Sequence, residues 1–587
     1  MNILIDTVRI YGFRGLRNIE VSLEPFTVLT GMNNTGKTSF HKALQVVLGN
    51  RLFISPDDFY ISETEKVNEI IVDIRIVPID NDAKKANNFT DEWLEIFTDD
   101  RIIVNAEGEQ FIPLRTVVTI DSITNTFKTK QYIQQEWVVF KNEDDKHWYQ
   151  SENGTEKPFH FDETPFFYMD AQRDIIEDIK VRNSYLGKML SKIEYSKKDI
   201  IAIEKQIKEL NEHAVESSDV LSNIETTLKE LDTAMDNTNN GVDITPFPKK
   251  VRDLNKGVSI QYSDFSMEYH GMGTRSWSSL LTLKSFISLF AKTSENNDKP
   301  FFPIIAIEEP EAHLHPNAQK KLFGQIAGIQ GQKIISTHSS YVAGSAELEQ
   351  IRSFYKGHDD VVCGKIDTSG FSSEDIRKIK RQVINTRGEL FFSKVIIFCE
   401  GETEEQAMPI FAEKYFGKST IEIGIDFVGV GGQGNYLPFL RVAESLNIPW
   451  FIFSDAENTS GKNIKVSVQN QFLKCGTTKT ESDSIVFLND GNDYEKQLIN
   501  DGFGREIKKA IASLDIYKNK KHREAKGAKR LKEIESYDNE KLYEIFTGSK
   551  TQFGPAVAYA IIESNKDLPQ KIIDLFDKIK ESLNIKR

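Results

Sequence analysis

The chain has 587 residues, of which 39% are hydrophobic and 28% are charged, and its formal net charge is −14 at pH 7. This length exceeds what one hydrophobic core supports and predicts roughly two to four domains, while the negative charge excludes a protein that coats nucleic acid by charge alone. Because no run approaches about 18 uninterrupted apolar residues, we expect a cytoplasmic protein without a membrane span.

The start of the chain has the order strand, glycine-rich turn, helix. Two runs alternate as β-strands do, NILIDTVRI and NIEVSLEPFTVLTG, and the second leads into GMNNTGKT at residues 31 to 38. The next run, KTSFHKALQVVLG, has helical spacing. A strand before and a helix after are the setting that the phosphate-binding pattern G-x-x-x-x-G-K-[ST] needs.

The residue types in this turn fit a nucleotide with its magnesium ion. Gly31 and Gly36 allow successive backbone N–H groups to point at a β-phosphate. Lys37 supplies a charge to the β and γ oxygens, and Thr38 offers a hydroxyl to Mg²⁺. The turn therefore predicts an ATP site.

Three further strand-like runs come next, NEIIVDIRIVPI, RTVVTIDSITNTFKT and PFFYMDAQRD, and the composition changes after them. From about Leu186 to Asp236 the chain is rich in Lys, Glu, Ile and Leu at helical spacing, which predicts a pair of long antiparallel helices. Such an arm packs on a copy of itself or on its parent domain. An arm that clamps DNA is the alternative.

A second set of nucleotide-type residues follows the arm. In FFPIIAIEEPE an apolar run ends in Glu308, which would hold the Mg²⁺ shell, and Glu309, which would orient or deprotonate water. In KIISTHSS a strand ends at His338, where the imidazole can sense a γ-phosphate. We interpret His313 and His315 as structural, because the adjacent acids are already accounted for by nucleotide chemistry.

FRGL near the start, GMNNTGKT, EEPEAHLHP and STHSS together resemble the ABC-type ATPase heads of the RecF, SMC and Rad50 group. The resemblance implies that the arm is inserted between two halves of one head and that two heads sandwich ATP. A signature segment from the second subunit would complete each site, and HGMGTRSW (270 to 277) is the candidate, although it departs from the usual LSGGQ. The residues expected to hold nucleotide are Arg14, Asn33, Asn34, Gly36, Lys37, Thr38, Ser39, Glu308 and His338, with Gln172 as a candidate Q-loop residue.

The pattern changes near residues 350 to 390, where we place the main domain boundary. Beyond it, strand (395 to 399), helix (403 to 416), strand (422 to 430), helix (435 to 445) and strand (450 to 454) predict a small parallel α/β unit. The predicted domains are an ATPase head of residues 1–185 and 241–355, an arm of 186–240, a linker of 356–390 and a second domain of 391–587.

Acidic residues stand at the ends of two predicted strands of this second domain. In VIIFCEGETEE, Glu400 ends a strand and Glu404 lies one turn up the following helix; in WFIFSDAEN, Asp455 and Glu457 share one side of an extended chain. Two-metal cleavage of a phosphodiester needs carboxylates that converge from separate strand ends. We expect these four to bind Mg²⁺ or Mn²⁺.

These motifs resemble a Toprim domain, with D-x-E in place of the usual D-x-D. Downstream, Glu495 in NDYEKQL is a further candidate metal ligand, and Lys550 in TGSKTQFG is a candidate to neutralise charge on the scissile phosphate. For both residues, a solvated surface role is the alternative. The basic run YKNKKHREAKGAKR (517 to 530) is either a solvated helix face or a DNA contact.

An ABC-type head with a helical insertion followed by a Toprim domain resembles the OLD (overcoming lysogenization defect) family, which includes the large subunits of Gabija anti-phage systems. The resemblance implies a DNA endonuclease that nicks or cuts with Mg²⁺ or Mn²⁺, with ATP regulating the cleavage. It implies homodimers or homotetramers through heads and arms. Proteins of this family occur alone, beside a helicase, or beside a reverse transcriptase with its noncoding RNA, and the sequence does not distinguish among the three.

Two other functions stay open at this point. The first is a RecF- or SMC-like DNA-binding repair ATPase whose Toprim acids serve only structure. The second is Toprim strand passage or primase activity, which would need a nucleophilic tyrosine in a winged-helix domain or a polymerising fold, and the sequence offers neither.

Overall fold

The structure is a computed structural model. It describes residues 2–49, 54–62, 65–121, 126–140, 147–176, 196–222, 261–262, 265–266, 269–296, 299–357, 360–384, 387–459, 462–514, 529–564 and 566–583. None of the helices described in these ranges is long and apolar enough to cross a bilayer.

The strands within these ranges are β1 Asn2–Phe13, β2 Leu16–Ser22, β3 Phe26–Thr30, β4 Glu69–Ile79, β5 Ile103–Val104, β6 Gln110–Asp121, β7 Thr126–Ile133, β8 Thr155–Glu156, β9 Phe166–Met169, β10 Gln261–Tyr262, β11 Phe265–Ser266, β12 Ile304–Glu308, β13 Gln332–Ser336, β14 Ile351–Lys356, β15 Val361–Lys365, β16 Val395–Cys399, β17 Ile425–Gly429, β18 Trp450–Ser454, β19 Asn458–Thr459, β20 Lys462–Asn463 and β21 Ile485–Phe487.

The α-helices are α1 Lys37–Leu48, α2 Asp91–Phe97, α3 Lys197–Glu216, α4 Met272–Glu295, α5 Pro316–Ala327, α6 Ser340–Ala343, α7 Ser373–Ile379, α8 Glu402–Phe416, α9 Thr420–Ile423, α10 Tyr436–Ser445, α11 Ile464–Lys474, α12 Glu481–Ser484, α13 Tyr494–Asn500, α14 Gly504–Ser513, α15 Asn539–Gly548, α16 Lys550–Ile562 and α17 Gln570–Ser582.

The chain divides into two compact units. The first comprises residues 1–168, 304–306 and 332–587, and the second comprises residues 169–303 and 307–331. The domain bounds expected from the sequence stay a prediction. The segment 356–390, expected to be a linker, contains β15 and α7.

The N-terminal strands form an antiparallel sheet in the order β2-β1-β4-β6-β7-β8. The expected second run is in fact two strands, β2 and β3, because Pro25 interrupts the alternation and the Glu24 N–H donates to Thr27 Oγ1 (2.9 Å) in a turn. That turn sends β3 into a different sheet, of order β15-β14-β3-β13-β12-β9. Since β13 and β14 both pair with β3 in parallel, the chain leaves all three strands at the same edge.

The C-terminal sheet has four parallel strands in the order β17-β16-β18-β21. The predicted strands at 395–399 and 450–454 match β16 and β18, and the predicted helices match α8 and α10 within one residue. All residues of β16 and β18 are buried, as expected for a parallel sheet covered on both faces. Strand β16 lies between β17 and β18, so its carboxyl end has neighbours on both sides.

The predicted arm is described over residues 196–222. Helix α3 begins after Ser196, whose side chain accepts a hydrogen bond from the Asp199 N–H. Ile207, Asn211 and Val215 form a buried stripe at four-residue spacing, which confirms an amphipathic helix. The second helix of the predicted pair is described only at its start, where residues 219–222 are helical, and the rest of it lies outside the described residues.

Candidate functional site

Carboxylates follow three neighbouring strands of the C-terminal sheet. Glu400 follows β16, Asp455 and Glu457 follow β18, and Glu495 lies in the first turn of α13, beyond β21. The carboxyl ends of parallel strands meet at one edge, so the sheet itself brings these side chains together. Asp493, which precedes α13, completes the set, and the sequence analysis missed it.

Close backbone approach holds the end of β17 against the segment that follows β16. A Cβ on Gly429, the last residue of β17, would lie 2.7 Å from Glu405 Oε2 and 3.0 Å from the Gly401 carbonyl oxygen. A larger residue at this position would displace the Glu405 side chain and press on the Gly401 carbonyl, so glycine favours the close approach of the end of β17 to the start of α8. The Gly432 N–H then donates to the Glu400 carbonyl oxygen at 2.9 Å, which fixes the backbone that carries this carboxylate.

The carboxylates are buried or half-buried, and their charges act on one another. Burial, reinforced by the charge of Glu457, raises the pKa of Glu400 to about 7. Burial, with the charge of Glu400 added, raises the pKa of Glu404 to about 7 as well. Burial first, and then the charges of Glu404 and Glu400, raise the pKa of Asp455 well above its usual range. The charges of Glu400 and Glu404 thus act on neighbouring carboxylates, which indicates that these side chains lie near one another.

Lys550 faces this cluster from another helix. Its Nζ donates to Glu495 Oε2 at 2.9 Å and lies 4.0 Å from Asp493 Oδ2, while its side chain stays 45% exposed. Burial raises the pKa of Glu495 to about 7, although the charge of Lys550 opposes the rise. The position of Lys550 depends on Gly554, where a Cβ would lie 2.9 Å from Thr403 Cγ2, because this glycine lets α16 pack closely on α8.

Tyr543 is a second group that the sequence analysis missed. Its hydroxyl donates to Asp493 Oδ2 at 2.8 Å, from helix α15. The Asp493 side chain also caps the N-terminus of α13, where it accepts a hydrogen bond from the Lys496 N–H. An Asp directly before a helix is the one signal that the sequence carried.

The donor set fits a divalent cation. Glu400 Oε2 is buried and has no hydrogen-bond partner among the described residues. An all-carboxylate set at one sheet edge is the chemistry that Mg²⁺ or Mn²⁺ prefers. Within the described ranges no three His, Cys, Asp or Glu side chains stand close enough to share one ion. A bound cation would offset the repulsion among these carboxylates.

The turn at residues 31–38 has the backbone of a phosphate-binding loop. Gly31, Asn34 and Gly36 have φ angles of 126°, 60° and 96°, in the region that favours glycine. Lys37 Nζ donates to the carbonyl oxygens of Gly31 and Met32, both at 2.7 Å, so the ammonium is held over the loop. Five residues of this loop that are expected to contact nucleotide are exposed or half-exposed: Asn33, Asn34, Gly36, Thr38 and Ser39.

Two further expected contacts belong to the same unit. His338 lies two residues beyond β13, whose end is tied to β3 by the hydrogen bond from the Thr337 N–H to the Leu29 carbonyl oxygen (3.1 Å). His338 therefore stands at the edge from which the phosphate loop leaves the sheet. Arg14 pairs with Asp58 at 2.7 Å, so a phosphate contact would require it to leave this partner.

The two acids at the end of β12, Glu308 and Glu309, lie in the second unit. Glu308 ends the strand and is buried, and Glu309 has a φ of 40°, which is uncommon for a residue other than glycine. His315 caps α5 by accepting from the Asn317 N–H, in keeping with a structural role. The role of both acids toward nucleotide stays a prediction.

The candidate signature segment and Gln172 also lie in the second unit. Gly271 is the N-cap of α4, so residues 270 to 277 form the start of the longest helix described. A Cβ on Gly273 would lie 2.5 Å from the His313 carbonyl oxygen, which accounts for this glycine by packing. The Gln172 N–H donates to Asp170 Oδ1 at 3.0 Å.

Two family models match the chain. Residues 4–343 match the AAA ATPase domain. The chain belongs to this AAA ATPase family. Behind the AAA ATPase domain, residues 391–456 match the TOPRIM domain of overcoming lysogenization defect protein-like proteins. The expected fold, an ABC-type ATPase head followed by a Toprim α/β domain, is thereby confirmed, and so is the resemblance to OLD proteins.

Curated relatives of this AAA ATPase carry nuclease names. The Old nuclease of Escherichia phage P2 is 23% identical over 558 residues, covering 88% of this chain and 87% of its own. The OLD nuclease of Thermus scotoductus is 22% identical over 77% of this chain and 82% of its own. Endonuclease GajA of Bacillus cereus is 23% identical over 279 residues, and the chain spans only 38% of its length.

Proposed function

We propose that the chain is a DNA endonuclease that hydrolyses phosphodiester bonds with Mg²⁺ or Mn²⁺. The proposed site is the edge of the Toprim sheet that carries the candidate acids, which we call the carboxylate edge: Glu400, Glu404, Asp455, Glu457, Asp493 and Glu495. The observation that carries the proposal is that Glu400, Glu404 and Asp455 lie at the ends of two neighbouring parallel strands, where burial and neighbouring carboxylates raise their pKa values. Three relatives named as nucleases support it.

The roles of individual residues follow from their positions. Glu400, Glu404, Asp455, Glu457 and Glu495 would hold the cations, with Asp493 added by the structure. Bound cations would supply an activated water and stabilise the leaving oxygen.

Lys550 would neutralise charge on the scissile phosphate. Its ammonium is held by Glu495 yet half exposed, as a group that meets an incoming phosphate must be. Tyr543 would orient Asp493 through its hydroxyl.

We further propose that the head binds and hydrolyses ATP through the loop at residues 31–38 with Glu308 and Glu309, and that its nucleotide state regulates cleavage. Homodimers or homotetramers would form through heads and arms. A role in anti-phage defence, with or without a helicase or a reverse transcriptase, is the expected context.

Cleavage of supercoiled plasmid tests the proposal. We expect nicked or linear product with Mg²⁺ or Mn²⁺ and none with EDTA. E400Q and D455N should lose cleavage and keep ATP binding, measured with a fluorescent ATP analogue. D490N is the matched control, because Asp490 lies on the loop before α13 with its side chain 89% exposed.

The same experiment separates the rival function. If wild-type protein leaves the plasmid intact with either metal while ATP turns over, the proposed endonuclease activity fails and the rival, a DNA-binding repair ATPase, is favoured. If E400Q and D490N cleave equally well, the carboxylate edge does not carry the reaction.

A further inference from the structure

Arg173 lies in the second unit, in the segment MDAQRD that follows β9. The residue is 7% exposed, and it directly follows Gln172, the candidate Q-loop residue. A buried arginine usually pairs with a carboxylate. Every hydrogen bond described for the Arg173 side chain goes to a backbone carbonyl oxygen instead.

Three of these bonds hold consecutive residues of one loop. The Nη1 atom donates to the carbonyl oxygen of Glu308 at 3.0 Å, and the Nη2 atom donates to those of Glu309 and Pro310 at 3.3 and 2.7 Å. A fourth bond, from Nη1 to the Asp170 carbonyl oxygen at 3.2 Å, anchors the arginine to its own segment. The planar guanidinium has enough fixed donors for this pattern, and the single ammonium of a lysine does not.

The loop that Arg173 holds has an uncommon backbone. Glu309 has a φ of 40° and His313 has a φ of 65°, and such conformations persist in residues other than glycine only where their surroundings enforce them. Glu308 and Glu309 are the two acids proposed to act on the magnesium shell and the attacking water. A fixed loop conformation therefore fixes the direction of both acids within their unit.

We infer that Arg173 is a positioning residue for ATP hydrolysis, which holds the Glu308–Glu309 loop in its active conformation without touching nucleotide. The inference rests on the proposed ATPase function of the head. Although burial lowers the pKa of Arg173 to about 10, the side chain stays charged at neutral pH. Charged donors make the stronger hydrogen bonds that a strained loop needs.

The chain offers a matched control in Arg352. This residue is 2% exposed, and it also donates to three backbone carbonyl oxygens, those of Ser22, Glu349 and Ile351, and in addition to Glu24 Oε1 at 3.3 Å. None of the three belongs to a predicted site residue. R352K therefore removes a comparable set of structural hydrogen bonds away from the loop.

The test compares R173K and R173Q with R352K. We expect the Arg173 variants to lower kcat for ATP about 100-fold while the Kd for a fluorescent ATP analogue is unchanged, because misplacing a catalytic group slows chemistry more than it weakens binding. Hydrogen exchange of residues 308–314 should accelerate in these variants and not in R352K. In an E309Q background, R173K should lower turnover no further, since the positioned acid is already absent.

Each outcome decides the inference. Wild-type exchange of residues 308–314 in R173K and R173Q would overturn it, and this readout needs no ATP turnover. Equal loss of turnover in R352K, or a parallel loss of ATP affinity, would reduce Arg173 to a structural role. If wild-type protein hydrolyses no ATP, the proposed ATPase function fails separately, while the exchange data still report whether Arg173 holds the loop.

Discussion

Replacing Glu404 by glutamine should abolish cleavage and yet stabilise the metal-free protein. Glu404 is 5% exposed, and burial together with the charge of Glu400 raises its pKa from 4.5 to about 7. An ionised Glu404 thus costs the folded state on the order of 3 kcal/mol above pH 7. The amide that replaces the carboxylate in E404Q would be neutral and could donate to the neighbouring carboxylates. The variant should therefore avoid most of this cost and be more stable than wild type without metal.

The stability difference between E404Q and wild type should grow as pH rises. Because the pKa of Glu404 is higher in the folded than in the unfolded chain, wild-type stability falls as pH rises from about 4.5 to about 7. E404Q should therefore unfold about 5 °C above wild type at pH 8 in EDTA, and at the same temperature near pH 5. Excess Mg²⁺ should stabilise wild type more than the variant, because a ligand stabilises the state that binds it.

E402Q is the control for this experiment. Glu402 lies in the same first turn of α8, but its side chain is exposed, so the substitution should leave the unfolding temperature unchanged. The reasoning is refuted if E404Q melts below wild type in EDTA at pH 8, or if its advantage is equally large at pH 5.

Three further substitutions test the contacts made by Lys550, Tyr543 and Lys37. K550M should abolish plasmid cleavage and lower the unfolding temperature in EDTA, because it leaves Glu495, which is 1% exposed, without its cation at a cost of about 1–3 kcal/mol. Y543F should slow nicking about tenfold without changing the circular dichroism spectrum, because it removes only the hydroxyl that donates to Asp493. K37A should abolish binding of a fluorescent ATP analogue and with it any effect of ATP on plasmid cleavage, because its ammonium is the charge held over the phosphate loop.

The C-terminal sheet was predictable because its strands have a strong local signal. VIIFC and WFIFS are continuous apolar runs that end in acids, and the rule that parallel strands end at one edge places Glu400 and Asp455 together before any coordinate is known. The phosphate loop was predictable for a similar reason, since strand, glycine turn and helix are contiguous in the sequence.

Other features depend on contacts between distant segments. Strand β21 has only three residues, too few to show a period, so the Asp493 that follows it reads as an ordinary helix cap. Tyr543 lies 50 residues further along, in an amphipathic helix where a tyrosine reads as core. Arg173 donates to carbonyl oxygens, and a backbone acceptor has no side-chain identity that a sequence could show.

The carboxylate edge couples binding to stability. Folding of the parallel sheet buries anionic side chains beside other anionic groups, and burial first, then the neighbouring charges, raise the pKa values of Glu400, Glu404 and Glu495, so that ionising these groups costs free energy in the folded state. Lys550 offsets part of that cost, most directly for Glu495, to which it donates, whereas Glu400 Oε2 lacks a hydrogen-bond partner among the described residues. A divalent cation would remove the repulsion and would be bound most tightly where the repulsion is greatest. The substitutions that stabilise the metal-free chain should therefore be the ones that destroy its metal site.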